Sequence, residues 1–206
     1  VLLLFGIGGM IAGSVSAIFA RRLTTMIAFS SAAQIGYIYM GLGMGTQAAL
    51  AAVLFQIVSH ALTKPMLFLS GADLVAASGG HQDHGQGAHR DPTAGCVFTV
   101  GALSMVGIPI FAGFIPKLYF AAAAFHMGWR TWAVLLALAL STLLNVLYFL
   151  YTTLLLWVPE AETEHTRRLR WVSVPGLVFV ALNIAVGLRS YGLMDLFRQG
   201  MDLFCQ

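Results

Sequence analysis

Six stretches of this chain run for roughly 20 residues or more with almost no charge, and that pattern limits the possible folds more than any motif. They cover about residues 1–20, 25–42, 47–77, 96–125, 131–158 and 171–188. A helix needs about 20 apolar residues to cross the hydrocarbon core. In lipid, only helices and closed barrels satisfy every backbone polar group. The sequence therefore predicts an all-α, polytopic transmembrane bundle of about six spans over residues 1–188. Arg21 and Arg22 stop the first stretch, and the Gly41-Leu-Gly-Met-Gly45 cluster closes the second. The third and fourth are long enough to tilt, kink or break.

Composition supports a lipid setting. Hydrophobic residues make up 59% of the chain and charged residues 9%, with a mean hydropathy of +0.84. Soluble domains carry about 25% charged residues, so this chain has too few polar side chains to cover a watery exterior. A net charge of +3 offers no basic face, and no nucleic-acid partner is expected. Cys96 and Cys205 form no spacing motif, so neither a disulfide framework nor a zinc site is indicated. The sequence opens on Val1 inside an apolar run, without a positively charged n-region. It reads as part of a longer protein rather than a mature chain behind a signal peptide.

Arginine counts set the expected orientation. Alternate loops place Arg21, Arg22, Arg90, Arg167, Arg168 and Arg170 on one side and Arg130, Arg189 and Arg198 on the other. The six-arginine side is predicted to be cytoplasmic, in a multi-pass protein of the cell (inner) membrane. Over residues 189–206, Leu193, Phe197, Met201 and Phe204 recur at helical spacing, with Asp195, Arg198 and Asp202 on another face. That pattern predicts an interfacial amphipathic helix.

The only two lysines, Lys64 and Lys117, both fall inside apolar stretches. An ammonium at the centre of a membrane helix costs roughly 2.5–3.5 kcal/mol on insertion scales, so each is a candidate for binding, relaying or pairing. Gln56, His60 and Lys64 recur every fourth residue and stack along one helix face, which must look onto protein or water. Desolvation disfavours the charged form of an amine, which suits this stripe to proton transfer. Pro65 removes one backbone hydrogen bond beside it and invites a kink. Ahead of Lys117, Gly107, Pro109 and Gly113 predict a helix break inside the fourth stretch. Non-helical backbone at membrane depth is tolerated only in protein or beside a water-filled cavity, where transporters place ion sites.

Ser30, Ser31, Gln34 and Tyr37 cluster on the second stretch. They suit close helix packing or, with Gln56, the lining of a water path between the lysines. Asp73, near the end of the third stretch, reads as a channel mouth or a solvated acid, the latter preferred. The 78–92 segment, with His81, Asp83, His84, His89 and Asp91, fits no established zinc pattern and reads as a solvated loop. Glu160, Glu162 and Glu164 beside Arg167, Arg168 and Arg170 read as a solvated hairpin. No metal or other cofactor is predicted, and no nucleophile triad or phosphate loop suggests covalent chemistry.

Three ordered motifs carry a resemblance: AFSSAAQIGYIYMGLG, VSHALTKPMLFLSG and GALSMVGIPIFAGFIPKLYF. They resemble the proton-conducting antiporter-like subunits shared by respiratory complex I, Mrp-type Na⁺/H⁺ antiporters and membrane-bound hydrogenases. The resemblance implies that the chain is the C-terminal portion of such a subunit, the second inverted repeat plus the final helix. It implies that Lys64, with His60 as partner, is the lysine of the H-A-x-x-K helix. Lys117 would be the lysine after the broken helix, at the outlet of the proton path. Where the family usually reads D-I-K-R, this chain has Arg22-Leu-Thr-Thr25, and Gln56 stands where some members have histidine. The wording of the third motif is similar to Mrp D-type and complex I N-type subunits, with a lean to the former.

The reading is a proton-translocating membrane subunit that works beside other membrane subunits, with Na⁺/H⁺ antiport as the activity open to the assembled complex. It is not an enzyme by itself, although it could serve a proton-translocating NADH:quinone oxidoreductase. Two other readings stay open: a structural membrane subunit without its own ion path, and a secondary transporter of an organic substrate.

Overall fold

The computed structural model describes residues 1–78, 87–125, 127–158 and 173–204. Among the described residues there are nine helices and no strand, so the fold is an all-α membrane bundle. The helices are α1 (Leu2–Phe19), α2 (Leu23–Met44), α3 (Gln47–Ala77), α4 (Gly87–Arg90) and α5 (Pro92–Val106), followed by α6 (Phe114–Ala124), α7 (Arg130–Leu156), α8 (Ser173–Leu188) and α9 (Ser190–Phe204). By length and composition α1, α3 and α7 can each cross a membrane, and α8 with α9 meets the same test as one bent unit. α2 is 22 residues long, about 33 Å of rise. It is made more polar by its serines, glutamine and tyrosines.

Small residues bring α1 and α2 into backbone contact. A Cβ on Gly6 would stand 2.2 Å from the Met40 nitrogen, and one on Gly36 would stand 2.4 Å from the Met10 nitrogen. Any side chain at either position would force the pair apart. Against this pair lies α3, whose first turn is capped by Thr46 accepting the Ala49 N–H at 3.2 Å. α3 stays helical through Pro65 for all 31 residues, so the missing N–H frees the Ala61 carbonyl without ending the helix. Its buried face carries Gln56, Ser59, Thr63, Lys64, Ser70 and Asp73. α7 closes the other side, with Tyr148 and Phe149 packed on Met26 and Phe98, and Val134 and Leu138 packed near Phe120.

The structure departs from the sequence reading over 78–92. Gly87–Arg90 forms α4 and lies against the end of α3, with the Gly87 position close to the Leu74 carbonyl and Arg90 donating to Ala77 O at 3.2 Å. Asp91 is buried as the N-cap of α5 and accepts the Ala94 N–H at 3.0 Å. Asp73, read as solvated, is instead only 5% exposed, on the end of α3 where Leu74 clusters with Ala88 and Ala94. His89 likewise docks through Nε2 on Trp157 O at 2.8 Å. His81, Asp83, His84 and the acidic–basic run at 160–170 lie outside the described residues.

After α8 the chain turns by 73° into α9. Met194, Phe197 and Met201 of α9 pack onto Ala51, Phe55, Ala112 and Ile115. The apolar face predicted for this segment thus lies on α3 and α6, with Arg198 over the Tyr119 ring at 5.6 Å.

Candidate functional site

α3 presents Lys64 to α2 rather than outward. Its side chain is only 7% exposed, and Nζ donates to Ile27 O at 2.8 Å and Ser30 Oγ at 2.6 Å. Ser30 Oγ in turn donates to Ile27 O at 2.8 Å. An ammonium with two oxygen acceptors inside the protein satisfies most of what lipid would deny it. His60 sits one turn away on the same helix, half-buried, with a buried Nδ1 that makes no hydrogen bond. One turn further back, Gln56 Nε2 donates to Gln34 Oε1 on α2 at 2.7 Å. The predicted Gln56, His60 and Lys64 stripe therefore exists, and its two ends contact α2.

Lys117 is held differently. α5 ends at Gly107, whose φ of 98° is left-handed and whose N–H, with that of Ile108, closes on Leu103 O at 3.0 and 3.1 Å. Residues 108–113 are non-helical, and α6 resumes at Phe114. The predicted interruption at Gly107, Pro109 and Gly113 is therefore a real gap in the helix. Lys117, in the first turn of α6, folds back so that Nζ donates to Met105 O and Val106 O, each at 2.8 Å. Those are carbonyls left open by the end of α5, where the helix dipole also favours a cation. The same Nζ lies 5.7 Å from the centre of the Tyr37 ring.

Both lysines therefore touch α2. Ser30, Gln34 and Tyr37 recur at i, i+4 and i+7, are all buried, and lie on one helix face. From Ser30, at Lys64, to Tyr37, at Lys117, the helix rises about 10 Å. Ser31 is the exception among the predicted lining residues. It is only half-buried, and its hydroxyl bonds back to Ile27 O at 3.2 Å.

α7 adds polar groups that the sequence reading did not single out. The Tyr148 hydroxyl donates to Asn145 Oδ1 and lies beside Ser30, while Tyr37 lies beside Ser141 and Thr142. Ser59, Thr63, Ser104 and Asn183 form a second buried polar group around the interruption. Asn145 and Asn183 had a visible signal, a lone amide inside an apolar span. Ser59, Thr63 and Ser104 had none, because small hydroxyl residues are common in packed membrane helices.

Comparison with known proteins bears directly on this geometry. Residues 1–145 match the family described as NADH:quinone oxidoreductase/Mrp antiporter, TM. NADH-quinone oxidoreductase subunit N of Desulforudis audaxviator is 36% identical over 143 residues, 68% of this chain and 28% of that protein. The D-type Na(+)/H(+) antiporter subunit of Bacillus subtilis is 27% identical over 194 residues, 90% of this chain and 37% of that protein. A chain of the archaeal membrane-bound sulfane sulfur reductase superposes with a TM-score of 0.84 at 25% identity, over 98% of this chain and 41% of that one. The chain spans less than half the length of these relatives. Both branches are represented, and the lean toward the D-type wording is not carried by identity. With 145 of its 206 residues matched, the chain belongs to the NADH:quinone oxidoreductase/Mrp antiporter transmembrane family.

Proposed function

We propose that this chain is part of a proton-translocating subunit of a respiratory complex I-like or Mrp-type assembly in the cell (inner) membrane. Na⁺/H⁺ exchange is within reach of the assembled complex, and the partners are its other membrane subunits. The observation that carries the reading is that two ammonium groups held inside the bundle, Lys64 buried and Lys117 part-buried, flank one polar face of α2, with Ser30, Gln34 and Tyr37 between them. Lys64 receives a proton through His60 from the side bearing six arginines. It passes the proton along water beside Gln34 and Gln56 to Lys117, which releases it where the interruption at 107–113 opens the helix. Charge changes elsewhere in the complex tip each amine between its two protonation states.

A second reading has one observation in its favour. Both ammonium groups end on backbone carbonyls, as they would in a purely structural helix–helix staple. Lys117→Ala in the full-length protein, within its complex, separates the two. The transport reading predicts normal assembly with proton pumping lost. The structural reading predicts that assembly fails and that whatever assembles pumps normally.

A further inference from the structure

Three buried polar side chains, Asn183, Thr63 and Ser104, form a closed cluster where α3, α5, α8 and the interruption meet. Asn183 of α8, with no exposed surface, donates from Nδ2 to Thr63 Oγ1 at 2.9 Å and accepts the Ala112 N–H on Oδ1 at 3.3 Å. Thr63 gives its own proton to Ser59 O at 2.8 Å. Ser104 Oγ, 3.3 Å from Thr63 Oγ1, is left to donate to it while accepting the Gly113 N–H at 3.3 Å. Two N–H groups of the interruption, those of Ala112 and Gly113, thus find acceptors on side chains, as backbone at membrane depth requires. α8 presses on the same segment one turn further along, where a Cβ on Gly187 would stand 2.4 Å from Ile110 O.

The cluster sits one residue from each lysine's anchorage. Thr63 immediately precedes Lys64, and Ser104 immediately precedes Met105, whose carbonyl accepts Lys117. We infer that Asn183 is a positioning residue, clamping the interrupted helix to α3 so that the two lysines keep a fixed separation. It touches neither lysine. Asn183 acts through Thr63 on one side and through the Ala112 N–H on the other, and it makes α8 part of the transport unit. This inference rests on the transport reading above.

The test uses the full-length protein in its complex and reads proton flux per assembled complex, with Lys117→Ala in parallel. Asn183→Leu, close in volume but without the amide, is expected to lower flux about tenfold or more, within the range of a misplacement on the order of 1 Å. Thr63→Val should do the same, Thr63→Ser should keep most of the flux, and the double variant Asn183→Leu/Thr63→Val should be no worse than its weaker parent. Where Asn183→Leu does not assemble, the Thr63 pair decides: a selective loss in Thr63→Val upholds the role, and equal flux overturns it. Flux that falls only in proportion to assembly also overturns it. Normal flux in Asn183→Leu beside an inactive Lys117→Ala sinks this inference alone, whereas normal flux in Lys117→Ala removes the transport reading and this inference with it.

Discussion

Lys64 and Lys117 are the same side chain in the same bundle, yet their settings are nearly opposite. Lys64 extends from an unbroken helix and reaches a neighbour, 34 to 37 residues away in sequence, for a hydroxyl and a carbonyl. That carbonyl, Ile27 O, already takes the Ser30 and Ser31 hydroxyls, so it does not depend on the lysine. Lys117 folds back only 11 and 12 residues onto Val106 and Met105, whose carbonyls have lost their helical partners. One lysine is a guest in a finished helix, and the other finishes a helix end. Their energetic consequences should therefore differ even where the proposed transport uses both.

The largest expected effect is a split in stability between two neutral variants of similar length. Lys117→Met leaves two carbonyls without a donor and should destabilise the complex by on the order of 2 kcal/mol. Lys64→Met leaves Ile27 O bonded and removes a buried charge, so its effect should be near zero or stabilising. Thermal unfolding of the purified complex reads both, and equal losses would erase the contrast.

Next comes Gly107→Ala. The left-handed conformation costs a residue with a Cβ roughly 1–2 kcal/mol. The new atom would also stand 3.2 Å from Lys117 Cδ and 3.3 Å from Nζ, displacing the ammonium. Gly45→Ala is the matched control, left-handed at φ 68° with open space around the Cβ. Both variants should unfold at lower temperature, but only Gly107→Ala should lose proton flux. Equal flux in the two would separate the interruption from transport.

Smaller still is Ser30→Ala, which removes one of the two acceptors of Lys64 and should cost about 1 kcal/mol with a several-fold fall in flux. Smallest is Ser31→Ala, whose hydroxyl touches no lysine, with stability expected within about 0.5 kcal/mol of the parent and flux unchanged. If Ser31→Ala impaired flux more than Ser30→Ala, the assignment of faces on α2 would be wrong.

How much of this was legible beforehand follows the same contrast. The all-α bundle, the Gln56, His60 and Lys64 stripe, and the gap before Lys117 were readable, because helical spacing and Gly/Pro chemistry act over a few residues. Ser30 was readable only as lining a path between the lysines; that it and the Ile27 carbonyl accept Lys64 was not, since nothing in the spacing of residues 27 and 30 says that they meet residue 64. Asp73 was misread for a related reason. Its neighbour Leu74 clusters with Ala88 of α4, and a glycine-rich polar segment carries no periodic signal for that return. The tether from Asn183 to Thr63 joins residues 120 apart, and only the packing of α8 on α3 creates it.

The central claim is that the two amines are joined by water along the polar face of α2. A cryo-EM map of the full-length complex, at a resolution that shows ordered water, examines it most directly. The account predicts water linking Lys64 to Lys117 past Ser30, Gln34 and Tyr37, with the interruption at 107–113 open to the same chain. Tightly packed side chains between the two nitrogens, with no water in either lysine's surroundings, would contradict it.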